Sequence, residues 1–100
     1  MEITFSHPHI EVSQKLQQIA NEKLANLKDN YDAISSIEIM LDEQKHLKIA
    51  KANIHIPGKI FHAESESTAD FLNAIDILVD KLDQQLRKHK EKSTSHRHHE

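Results

Sequence analysis

Lys81, Lys88 and Lys92 are seven and four positions apart. On a helix that spacing stacks three ammonium groups along one side over about three turns. Arg87 and Lys90 flank the stripe. A row of this kind suits backbone phosphates, each cation neutralising one charge without reading a base. It equally suits a solvated helix end, because the macrodipole favours cations in the last turns. Lys23 and Lys28, upstream on a second helical pattern, extend the row if the two helices pack side by side.

Other side chains offer less chemistry. The nine histidines invite a metal, yet His96, His98 and His99 lie in a polar tail without partners to fix them. His7 and His9 flank Pro8, and His55 and His62 fall diagonally on neighbouring strands; neither pair brings a third ligand. The chain has no cysteine and one glycine, which removes thiolate nucleophiles, disulfides, Cys-based zinc sites and a glycine-rich phosphate loop. No serine sits in an elbow or triad context. Asp42 and Glu43 fall in a turn. Asp76 and Asp80 form a repulsive i, i+4 pair that nearby lysines relieve, which is no acid/base dyad. The expectation is a protein that is not an enzyme, with no catalytic residues, no cofactor, no metal site and no small-molecule substrate.

The elements that must position these cations follow from periodicity. Ile3 and Phe5 alternate with Glu2, Thr4 and Ser6 as a half-buried strand that ends at Pro8. From the N-cap Ser13, Leu16, Ile19, Ala20, Leu24 and Leu27 recur at helical spacing. The period returns to two at Ile37, Ile39 and Leu41, and again from Leu47 to Ile56. Pro57-Gly58 makes a tight turn that sets Ile56 opposite Lys59 and Ile54 opposite Phe61. Ser67 or Thr68 caps a last helix with Asp70 in its first turn, and Phe71, Ile75, Leu78, Val79, Leu82 and Leu86 form its apolar stripe.

The order β-α-β-β-β-α predicts an α+β two-layer sandwich, with two helices packed on one face of a four-stranded mixed sheet. The first two strands should be parallel, since a helix joins them. The opposite face should show Thr4, Ser6, Ser36, Glu38, Met40, Lys51, Asn53, His55, His62 and Glu64. Without an aromatic residue it cannot stack bases as recognition-motif sheets do, and it reads as a solvated surface.

With 100 residues, 37% hydrophobic and 29% charged, the chain suits one domain, placed at residues 1–92, followed by a flexible His-rich tail at 93–100. No apolar run approaches the roughly 20 residues of a membrane span, so a cytoplasmic protein is expected. The net charge of -3 hides a gradient: residues 1–80 hold seven Lys against thirteen acids, and residues 81–100 hold six Lys and Arg against three.

The run Ala74-Ile75-Asp76, Leu78, Asp80-Lys81-Leu82, Gln85-Leu86 and Lys88-His89-Lys90-Glu91-Lys92 resembles the short hibernation-promoting factors of bacterial ribosomes, also known as ribosome-associated or sigma-54 modulation proteins. The likeness covers nearly the whole chain: Ile10-Glu11-Val12-Ser13, Lys23 and Leu27, Tyr31-Asp32, and Ala52 to Ile56. It implies a factor that binds the small ribosomal subunit and its 16S rRNA in the decoding channel, over the mRNA and tRNA sites. Such a factor silences translation in stationary phase and promotes ribosome dimerisation with ribosome modulation factor. The resemblance implies phosphate contacts from Lys23, Lys81, Lys88, Lys90 and Lys92, with Lys28 on the same surface as Lys23, and a monomer off the ribosome.

Members of the family often carry Arg where this chain has Gln17 and Gln84, and Lys where it has Asn26. Asp83 adds an acid beside the basic stripe, and Arg87 offsets Gln84 from a direction about 100° away from Lys88. The other reading of the sequence is a small protein-binding module with no direct RNA contact, using the acidic bulk and an open sheet edge.

Overall fold

The computed structural model describes the backbone of residues 2–98 and the side chains of residues 3–90. Its elements follow the expected order: β1 (Glu2–Ser6), α1 (Gln14–Asn30), β2 (Ser36–Gln44), β3 (Leu47–Ile56), β4 (Lys59–Ser67) and α2 (Phe71–His98). The sheet order is β1-β2-β3-β4. β1 runs parallel to β2, and the remaining pairs are antiparallel. Both helices cover one face of this mixed sheet.

Alternation builds the core from both layers. Ile37, Ile39 and Leu41 of β2 and Ala50, Ala52, Ile54 and Ile56 of β3 turn inward, where Ala20, Leu24 and Leu27 of α1 and Ala74, Ile75, Leu78, Leu82 and Leu86 of α2 close over them. The small residues Ala50 and Ala52 at the centre of β3 let the helices approach the sheet. On β4 the inward face changes character along the strand: Phe61 and Ala63 give way to buried Ser65 and Ser67. Ser65 Oγ donates to the Ala74 carbonyl at 2.5 Å, so the start of α2 is tied to the sheet by a hydroxyl.

The Pro57-Gly58 turn sets the predicted register, Ile56 opposite Lys59 and Ile54 opposite Phe61. Gly58 takes φ +79°, a left-handed conformation that glycine adopts without penalty. Three boundaries differ from the sequence reading. β2 continues through Asp42, Glu43 and Gln44, because β3 supplies partners for all three; the turn shrinks to Lys45 and His46, with Lys45 at φ 56°.

The cap of α2 is Asp70 rather than Ser67 or Thr68. Its carboxylate accepts from the Asn73 N–H at 2.8 Å, and its carbonyl accepts from Ala74 N at 3.2 Å. Ser67 instead closes β4, its Oγ accepting from Ala69 N and Asn73 Nδ2. The helical backbone of α2 also carries past Lys92 to His98, since no glycine or proline interrupts it. The expected tail at 93–100 otherwise falls outside the described residues, as do the side chain of Lys92 and those of His96, His98 and His99.

Candidate nucleic-acid interface

Ser13 caps α1 as expected, its Oγ accepting from Leu16 N at 3.1 Å. Contacts between the helices pair ascending positions. Lys23 meets Asp76, and Tyr31 meets Asp83. The helices therefore run in the same sense, and the C-terminal end of α1 lies beside the middle of α2. Lys28 is in the last turn of α1, and Arg87, Lys88 and Lys90 follow the Tyr31 contact on α2. The α1 dipole presents its negative end here and favours Lys28, whereas α2 runs on to His98, so Arg87, Lys88 and Lys90 lie about two to three turns before its end.

The seam is not a continuous basic row. Lys23 is held by Asp76 at 2.6 Å, and the groove between the helices is lined by Asp76, Asp80 and Asp83 of α2 opposite Asn26 and Asn30 of α1. Asp83 accepts from Tyr31 Oη at 2.8 Å through one carboxylate oxygen and from Arg87 Nη2 at 2.8 Å through the other. Burial and the bond to Asp83 both raise the Tyr31 pKa above the usual tyrosine value, burial more. Lys90 Nζ lies 5.8 Å from the centre of the Tyr31 ring, within cation–π range.

Lys81 and Lys88 occupy a different flank. At about 100° per residue they project roughly 130° round α2 from Asp76, Asp83 and Arg87. They line a groove against β4 with His62, Glu64, Gln84 and Gln85. Two side chains of α2 cap β4 here: Lys81 Nζ donates to the Glu64 carbonyl at 2.7 Å, and Gln85 Nε2 donates to the His62 carbonyl at 2.9 Å. β4 is an edge strand, and these are carbonyls that no neighbouring strand takes.

Of the seven cations singled out in the sequence, Lys28, Lys81, Arg87, Lys88 and Lys90 are exposed and Lys23 is half-buried; Lys81 is engaged by backbone, and Lys23 and Arg87 by carboxylates. Lys90 stands over an aromatic ring, and the Lys92 side chain is not described. The side-by-side packing is as expected; the merged row is not, because the aspartates of α2 separate its two flanks.

The open sheet face also holds more order than a solvated surface needs. His55 Nε2 lies 2.9 Å from Glu38 Oε1, Asn53 Nδ2 lies 3.5 Å from the same oxygen, and Asn53 Oδ1 accepts from His62 Nδ1. The chain crosses β2, β3 and β4. Bonds from His55 and Asn53 hold the Glu38 carboxyl below its usual pKa. Among the described residues no three His, Asp or Glu side chains converge as a metal ion requires. The diagonal placing of His55 and His62 was visible in the sequence; their linkage through Asn53 and Glu38 was not.

The βαβββα arrangement places the protein among small two-layer α+β domains, a class with solved members. A ribosomal subunit interface protein from Coxiella burnetii superposes with a TM-score of 0.85 at 33% identity, covering 91% of this chain and 99% of that one. The N-terminal domain of Protein Y from Thermus thermophilus shares the fold, with a TM-score of 0.77 at 24% identity over 88% of this chain and 98% of that one. Residues 3–94 match the family described as sigma 54 modulation protein / S30EA ribosomal protein, and the chain belongs to that family. A ribosome hibernation promoting factor from Pseudomonas putida is 39% identical over 95% of this chain and 92% of its own length. The factor of that name from Escherichia coli K12 is 32% identical over 96% of this chain and all of its own length.

Proposed function

We propose that the protein is a ribosome hibernation factor that binds the small ribosomal subunit through 16S rRNA phosphates in the decoding channel, excluding mRNA and tRNA. It acts in the cytoplasm, without enzymatic chemistry, and in stationary phase promotes ribosome dimerisation together with ribosome modulation factor. The observation that carries this reading is the placing of Lys28 in the last turn of α1, whose cap Tyr31 meets the stretch of α2 that bears Arg87 and Lys90, in a chain whose relatives are named for ribosome hibernation. Lys81 and Lys88 add the flank that faces β4, Lys92 follows them at helical spacing in the sequence, and Lys23 joins when phosphate displaces Asp76. A compact plug held by phosphate contacts needs no base readout and is reversible, since its affinity rests on counterion release.

The test is co-sedimentation of purified bacterial small subunits with the protein over a range of salt. Neutralising about five to seven phosphates gives a logarithmic salt slope of roughly 4 to 6. Lys81, Lys88 and Lys92 changed together to Glu, with folding checked by circular dichroism, should abolish binding. A slope near zero sinks the phosphate plug. A second reading, a protein-binding module, draws on Met40 and Ile60, which are 44% and 46% exposed on the open sheet face. It predicts a partner contact that survives the triple Glu variant. Capping of the β4 carbonyls by Lys81 and Gln85 counts against strand addition at that edge.

A further inference from the structure

We infer that Asp83 is a positioning residue for the cations that face RNA: it strengthens phosphate binding by fixing Arg87 and the end of α1, although its own charge repels phosphate. The inference rests on the rRNA-binding reading above. In sequence Asp83 is an acid misplaced in a basic stretch. In the fold its two carboxylate oxygens are divided between two helices, one taking the Tyr31 hydroxyl and the other the Arg87 guanidinium.

Exposure shows which member of the pair faces outward. The Asp83 side chain is 29% exposed and that of Arg87 is 63% exposed, so the carboxylate is the inner partner. A guanidinium carries five N–H donors in a rigid fork. Bonding to Asp83 through Nη2 restricts the rotamers of the long side chain and holds its fork on the exposed surface of α2. Tyr31 is the C-cap of α1, and its ring lies beneath Lys90. One carboxylate thereby fixes Arg87 directly and Lys90 through the ring.

Lys23 and Asp76 make the opposite case. There the carboxylate meets an ammonium, a compact charge on a flexible stem with no fork to share. Asp76 therefore competes with phosphate for Lys23. The two aspartates, seven residues apart on one face of α2, should respond to neutralisation with opposite signs.

The experiment measures binding to purified bacterial small subunits for wild type, Asp83→Asn, Asp83→Glu, Arg87→Ala and the Asp83→Asn/Arg87→Ala pair, across salt concentrations. Alongside it, the free proteins are titrated by ultraviolet absorbance, which reports Tyr31 alone because the chain has a single tyrosine and no tryptophan. Losing one preorganised long side chain should weaken binding about two- to tenfold in Asp83→Asn. The salt slope should fall by up to about 1, Asp83→Glu should recover part of the affinity, and Asp83→Asn should cost less once Arg87 is absent, because only the route through Tyr31 remains. The Tyr31 phenol should ionise at lower pH in Asp83→Asn than in wild type.

Binding by Asp83→Asn as tight as wild type or tighter overturns the inference, as does equal weakening with and without Arg87. An unchanged Tyr31 titration overturns it as well, whatever the binding result. Failure of the wild type itself to bind at low salt overturns the rRNA reading and this inference with it, whereas wild-type binding indifferent to Asp83 overturns this inference alone.

Discussion

Lys23 and Asp76 meet across the helix seam, Nζ to carboxylate oxygen at 2.6 Å, with side chains 36% and 49% exposed. An ion pair this open adds under about 1 kcal/mol to folding stability. Its larger effect is to occupy a cation that the proposed function needs. Asp76→Asn should therefore leave the thermal midpoint nearly unchanged, tighten small-subunit binding and steepen its logarithmic salt slope by about 1. Weaker binding would show that Asp76 orients Lys23 rather than competing for it.

Acid should weaken the fold through Glu38. Its folded pKa lies below the ordinary 4.5 because His55 and Asn53 bond to the carboxylate. The stability this supplies is present above the unfolded value and is lost as pH falls through the lower folded value. Urea unfolding followed from pH 6 to pH 3 should show a shallower acid decline in Glu38→Gln than in wild type. Parallel curves would remove Glu38 from the acid response.

Gly58 has open space where a Cβ would sit, yet its φ is +79°. Gly58→Ala should cost about 1 kcal/mol from the backbone conformation alone. The readout is a lower urea midpoint with unchanged slope. Lys45 holds φ 56° in the other hairpin turn, and Lys45→Gly should relieve strain of about the same size. No loss in the first and no gain in the second would mean that the turns relax freely.

Leu82 is fully buried among the residues that join α2 to the sheet. Leu82→Ala should destabilise by about 2 to 5 kcal/mol, whereas Ile60→Ala, on the exposed sheet face, should stay within about 0.5 kcal/mol. Chemical denaturation of the two variants side by side separates a packed position from a solvent-facing one.

Local rules made most of the fold legible. The two-residue turn at Pro57-Gly58 fixes the β3–β4 register without reference to the rest of the chain, and the periodic stripe from Phe71 to Leu86 declares the buried side of α2. The cap of α2 was not legible, because Ser67, Thr68 and Asp70 are all good caps within four positions. What selects Asp70 is the inward turn of Ser65 and Ser67, a tertiary matter. Asp42 to Gln44 look like a turn by composition and become strand because β3 pairs with them. For the site, the cation types and spacing were readable and their pairing was not. Tyr31 and Asp83 are 52 positions apart, and no local pattern joins them.

Lys81 and Gln85 rest on the Glu64 and His62 carbonyls of the edge strand. A bare strand edge is a template for pairing with a second copy of the chain. Two side chains from α2 act as a safety catch on that template. In the proposed complex Lys81 leaves its carbonyl for a phosphate, so the catch is released only where RNA already stands in the way of a second copy.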